Sequence, residues 1–187
     1  MISKEIYDVL IPLKDKTINK IKYNLNQAPE DLNILKAQIP EINIYSTFHC
    51  TFSTCLGHKL QEVAAVCGNH VVNIDKQEKK TVGIDIRTEF GEGQMKLTKT
   101  TQTGTHKQDS IDKLLETTKK NNTNPFFVTA LSESYHYYKD GIFYVGGEYF
   151  WSRIGINYDD LCDTIKQVIK ETYEEVESTI IPTIRRT

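Results

Sequence analysis

Over the first 27 residues, apolar side chains recur at helical intervals. Ile6, Val9, Leu10, Leu13, Ile18, Ile21 and Leu25 predict one amphipathic helix over 3–27. The stretch "NQAPEDLNILKAQIPE" then breaks the pattern at Pro29 and Pro40, with room for at most a short helix between them. From Ser53, a suitable N-cap, the set Leu56, Leu60, Val63, Ala64 and Cys67 predicts a second helix that stops at Gly68. The period then shortens to two. Strands are predicted at 70–75 ("HVVNID"), 81–88 ("TVGIDIRT") and 93–99 ("GQMKLTK"), with Gly91 and Gly93 around Glu92 as a hairpin signal. A helix over 108–120 follows, and "NNTNP" ends it before a strongly apolar strand at 126–135. "GIFYVGGEYFW" supplies a further strand and a turn at Gly146–Gly147, and the last helix covers 157–178. From 53 to 135 the order is α-β-β-β-α-β.

Composition narrows the class. A chain of 187 residues fits one domain: an N-terminal helical arm (1–45), a core (53–135) and a C-terminal strand and helix extension (136–187). No apolar run approaches 18 residues, so no membrane helix and no membrane partner are expected. The start, interrupted by Glu5, Asp8 and Lys14, lacks a signal-peptide core, which predicts a cytoplasmic protein. Its four cysteines have no framework spacing and read as reduced thiols. "HCTFSTCLGH" brings His49, Cys50, Cys55 and His58 together, but without a CxxC pair and inside a helical pattern it favours buried thiols over zinc.

Net charge is −2, so the chain is no general polycation. Charge is uneven, however: residues 96–120 hold six lysines against three acids, and 159–177 hold seven acids against two lysines. That suits a polyanion gripped at one place, and it equally suits a solvated helix face.

The chemistry concentrates in "VGIDIRTEFGEGQMKL" (82–97). Alternation puts Gly83, Asp85 and Arg87 on one face of the first strand, and Gln94 and Lys96 share a face of the second. Paired antiparallel, the strands bring an acid, an amide oxygen and an ammonium into one polar cluster. Such a cluster costs desolvation energy unless it is paired or holds an ion. An acid and an amide oxygen make a hard, oxygen-rich site suited to magnesium or manganese. A lysine two residues on is placed to orient or deprotonate a water that attacks a phosphodiester. Glu62, on the preceding predicted helix, supplies a second carboxylate in sequence order.

This order of elements, with "GID" (83–85) followed by "QMK" (94–96), resembles the PD-(D/E)XK nuclease superfamily over roughly residues 53–135. The resemblance implies an α/β (α+β) fold with a restriction-endonuclease-like core: a mixed central sheet flanked by helices, plus N- and C-terminal helices. It implies Asp85, Gln94 and Glu62 as metal ligands, Lys96 as the lysine of the motif, and Mg2+ as cofactor with Mn2+ as substitute. Two departures stand out. No proline precedes Asp85, and Gln94 replaces an acid, which removes one negative charge and lowers the expected metal affinity. Glu92 competes for the acid position. In similar enzymes the segment after this strand approaches DNA, which implies contacts from Lys99, Thr101, Gln102, His106 and Lys107. The activity implied is a type II restriction endonuclease cutting double-stranded DNA as a homodimer, one subunit for each half of a palindrome. The dimer expectation rests on chain size and on the apolar stripe at 3–27. A structure-selective resolvase or repair nuclease, or a degenerate core that only binds nucleic acid, fits the same residues.

Overall fold

A computed structural model describes residues 1–26, 40–74, 83–98 and 105–184, the last stretch with side chains from 108 onward. In chain order the helices and strands are α1 (Lys4–Leu10), α2 (Pro12–Asn26), α3 (Pro40–Cys67), β1 (Val72–Asn73), β2 (Ile86–Thr88), β3 (Gly91–Lys96), α4 (Thr105–Asn121), β4 (Pro125–Thr129), β5 (Tyr135–Lys139), β6 (Ile142–Gly146), α5 (Gly147–Arg153), α6 (Tyr158–Glu175) and, after a π-helical turn at Val176–Ile180, α7 (Ile181–Ile184). The fold is α+β. No helix among the described residues is long and apolar enough to cross a membrane. The chain divides into two compact units, residues 1–56 with 162–187, and residues 57–161.

In the first unit the single helix expected over 3–27 is two helices, α1 and α2. Pro12 lacks the N–H that would bond back to Asp8, so α1 stops and α2 restarts with proline at its first position. The stripe itself is covered: Ile6, Leu10, Leu13, Ile18 and Ile21 are all buried. That removes the apolar surface on which the dimer expectation rested. Pro40, which interrupts the sequence pattern, opens α3, and Ser53 is an interior residue of that helix instead of its cap. The helix starts early because Ile44 and Phe48 find cover against Ile18, Ile21, Leu25, Val176, Ile180 and Ile181.

The second unit is built on a six-stranded sheet in the order β1-β2-β3-β4-β6-β5. Pairing is antiparallel for β1/β2, β2/β3 and β5/β6, and parallel for β3/β4 and β4/β6. Ile111, Leu114 and Leu115 of α4 pack onto Ile74, Ile84, Phe127, Ile142 and Tyr144. The expected stop of this helix is found: Asn122 takes φ 54° and the Thr123 N–H donates to the Thr118 carbonyl at 3.0 Å, satisfying the helix end.

Two expectations change here. The apolar run at 126–135 is not one strand but β4, a bend, and β5. In the bend the Ser132 hydroxyl turns to the Thr129 and Glu133 carbonyls, and the Trp151 indole N–H donates to the Ala130 carbonyl at 2.8 Å. The Gly146–Gly147 turn leads directly into a helix, α5, that the pattern did not announce.

Candidate functional site

The pairing of β2 with β3 sets Ile86 opposite Gly93, Arg87 opposite Glu92 and Thr88 opposite Gly91. The turn is therefore at Glu89–Phe90, and the two glycines belong to β3 itself. Regular pairing ends at Ile86. Just before it, the Asp85 N–H donates to the Gly93 carbonyl at 2.9 Å, and the Asp85 carbonyl accepts from the Ile74 N–H at 3.0 Å. The side chain then substitutes for a backbone acceptor: the Met95 N–H donates to Asp85 Oδ2 at 2.8 Å. The carboxylate is thus fixed beside the Gln94–Met95 peptide, where the two strands diverge. The strand begins only at Ile86, yet the expected alternation holds through 83–88: Ile84, Ile86 and Thr88 are buried, and Gly83, Asp85 and Arg87 are partly exposed.

Gln94 is 4% exposed. Its Nε2 donates to the Gly83 carbonyl at 2.8 Å and, more weakly, to the Ser110 carbonyl on α4 at 3.4 Å. Turning the amide over would set an oxygen against two carbonyls, so this orientation is fixed. The consequence is that Oε1 is buried with no hydrogen-bond partner among the described residues. A buried acceptor left without a donor costs about 1–3 kcal/mol. Gly83 makes the clamp possible: at φ 88° it lies against α4, and a Cβ there would meet Lys113 Cβ at 2.9 Å.

Lys96 ends β3, partly exposed, two residues along from Gln94 and beside Thr129 in the register with β4. Among the described residues its ammonium has no ion-pair partner. Asp85, Gln94 and Lys96 are therefore gathered at one end of the β2–β3 pair. Glu62 is about a quarter exposed on α3, and Lys59, three residues earlier, binds its carboxylate at 2.8 Å. Among the described residues no group of three or more His, Cys, Asp or Glu side chains is arranged to hold a metal. Of the expected DNA contacts, Lys99, Thr101 and Gln102 lie outside the described residues. His106 and Lys107 fall in the first turn of α4, with their side chains outside the description.

Glu92, the competitor for the acid position, has a different task. It is 1% exposed, and its Oε1 accepts from Arg87 Nε at 2.9 Å and Nη2 at 2.6 Å. Oε2 accepts from Asn121 Nδ2 at 2.7 Å and Thr123 Oγ1 at 3.0 Å. Burial alone pushes this carboxyl up. The hydrogen bonds from Asn121, Arg87 and Thr123 and the charge of Arg87 outweigh burial and hold it below the usual glutamate value. With both oxygens occupied, Glu92 ties the β2–β3 hairpin to the end of α4. Arg87 faces Glu92 across the strand pair, a pairing that the expected turn around Glu92 had hidden. Asn121 and Thr123 carried no comparable signal. Nor did the Gly83 and Ser110 carbonyls that orient Gln94.

Against known protein families, curated proteins and solved structures, the chain finds no match.

Proposed function

We propose that this chain is a divalent-metal-dependent DNA endonuclease with its site at Asp85, Gln94 and Lys96. The observation that carries the reading is the buried Gln94 Oε1, which has no hydrogen-bond partner among the described residues and which a cation would satisfy. Three features support it: the α-β-β-β-α-β order from α3 to β4, the Asp85 carboxylate held beside the Gln94–Met95 peptide, and the Lys96 ammonium, which has no ion-pair partner among the described residues. Carboxylate and amide oxygens are hard donors of the kind that Mg2+ or Mn2+ takes. Such an ion, when bound, supplies Lewis-acid polarisation of the phosphate and lowers the pKa of a bound water.

The chain's own residues do the rest. Asp85, just before β2, and Gln94 on β3 would hold the ion, Asp85 oriented by the Met95 N–H and Gln94 by the Gly83 and Ser110 carbonyls. Lys96 orients the attacking water and offsets negative charge as it builds on the phosphate. Glu62, ion-paired with Lys59, would be a further carboxylate for such an ion. The finer reading is a type II restriction enzyme that cuts duplex DNA as a homodimer.

Supercoiled plasmid incubated with the protein and Mg2+ tests this directly, and discrete fragments are the expected product. Asp85→Ala and Lys96→Ala should leave the plasmid uncut while retaining the wild-type circular dichroism. A second readout is independent of cleavage: Mn2+ should raise the melting temperature of the wild type and leave that of Gln94→Ala unmoved. Cleavage confined to branched DNA would replace the restriction reading by a structure-selective one. A plasmid left intact, together with a melting temperature indifferent to metal, would remove the nuclease reading altogether.

A further inference from the structure

Among the described residues β5 is an edge strand, and it is unlike the opposite edge. β1 is only two residues long, which leaves little backbone to pair. β5 pairs with β6 through five consecutive residues, without a bulge, and turns its other side outward. Edge strands are ordinarily blunted by shortness, proline, bulges or repeated charge. "YHYYK" has no proline, and its one charge, Lys139, sits at the end.

Both faces of this strand are aromatic and already ordered. Tyr137 stacks on Tyr144 with ring centroids 5.1 Å apart and planes 12° apart, and Tyr138 stacks on Phe143 at 4.6 Å and 25°. His136 stacks on Tyr149 at 4.2 Å and 18°. Tyr137 and Tyr138 are nevertheless 49% and 77% exposed. Their rings have lost much of their rotational freedom without losing their contact with water, so a partner that covers them meets a reduced ordering cost.

We infer that β5 pairs antiparallel with β5 of a second copy of this chain, about a two-fold axis at Tyr137, continuing the sheet from one subunit to the other. The strand is self-complementary in this register. Tyr137 faces its own copy, His136 faces Tyr138, and Lys139 faces Tyr135. Every pair is aromatic with aromatic or cation with aromatic, and no like charges meet. An isologous contact of this kind closes at two subunits. This inference makes no use of the metal site, and its test contains neither metal nor DNA.

In sedimentation the wild type should run at twice the chain mass. Tyr137→Lys/Tyr138→Lys, which puts lysine opposite lysine at the axis, should run as a monomer with unchanged circular dichroism. Cysteine cross-linking tests the register even if the double variant folds poorly. In a Cys50→Ser background, which removes an exposed thiol, oxidised Tyr137→Cys should give a covalent dimer and Asp140→Cys should not. A monomeric wild type at every concentration, a dimer that survives both lysines, or cross-linking at 140 in place of 137 would overturn the inference.

Discussion

The carboxylate of Glu92 is gripped by Arg87 on one side and by Asn121 and Thr123 on the other. Because these partners hold its pKa below the ordinary value, the unfolded chain binds this proton more tightly than the folded chain does. The stabilisation is complete above the unfolded pKa, about 4.3, and is lost as pH falls through the folded value. Glu92→Gln removes that titration and sets an amide donor against donors. It should cost about 1–3 kcal/mol at neutral pH. In thermal melts as a function of pH, the wild type should lose melting temperature more steeply than the variant below about pH 4.3. Parallel curves would mean that Glu92 has no share in acid stability. Gln94 presents the reverse case on the same strand: its nitrogen is engaged, and its oxygen is the atom left over.

At the level of elements, "GEG" resembles a hairpin turn and is something else. β3 runs so close to the start of β4 that a Cβ on Gly93 would meet the Phe126 carbonyl oxygen at 2.6 Å and the Phe126 ring at 2.7 Å. One on Gly91 would meet the Asn124 carbonyl oxygen at 2.0 Å. The glycines permit the parallel pairing of β3 with β4, on which the spacing of Gln94 and Lys96 against the rest of the sheet depends. Gly93→Ala forces two backbones apart and should destabilise by about 1–3 kcal/mol in urea unfolding. A neutral result would show that β3 and β4 yield easily, and that the site's geometry is soft.

Each compact unit of the whole molecule has a core of its own. Ile44 and Leu114 are both fully buried, the first among Ile18, Ile21 and Val176, the second among Ile74, Ile84 and Phe127. Truncating either to alanine should cost about 2–5 kcal/mol. Hydrogen exchange should locate the loss: Ile44→Ala should speed exchange in the first turns of α3 and in α7, and Leu114→Ala in β3 and β4. Uniform acceleration in both variants would mean that the chain opens as one cooperative unit.

The α-β-β-β-α-β order, the apolar β4 and the stop of α4 at "NNTNP" were all legible in the sequence, because each is set by residues within a turn or a strand of one another. A period of 2 or 3.6 and an asparagine able to take positive φ act locally. The break at Pro12 was equally local, and an unbroken apolar stripe masked it. What only the tertiary structure decided depends on partners far along the chain. Pro40 and not Ser53 starts α3 because Ile44 and Phe48 meet residues from α2 and from 176–181. Glu92 is spent and Gln94 is left with an open oxygen because the close packing of β3, β4 and α4 brings Asn121 and Thr123 to one and the Ser110 carbonyl to the other. The sequence placed two candidate acceptors two residues apart on one strand face. Which of them is free was decided by neighbours some 29 and 31 residues away from Glu92, and those are brought there only by folding.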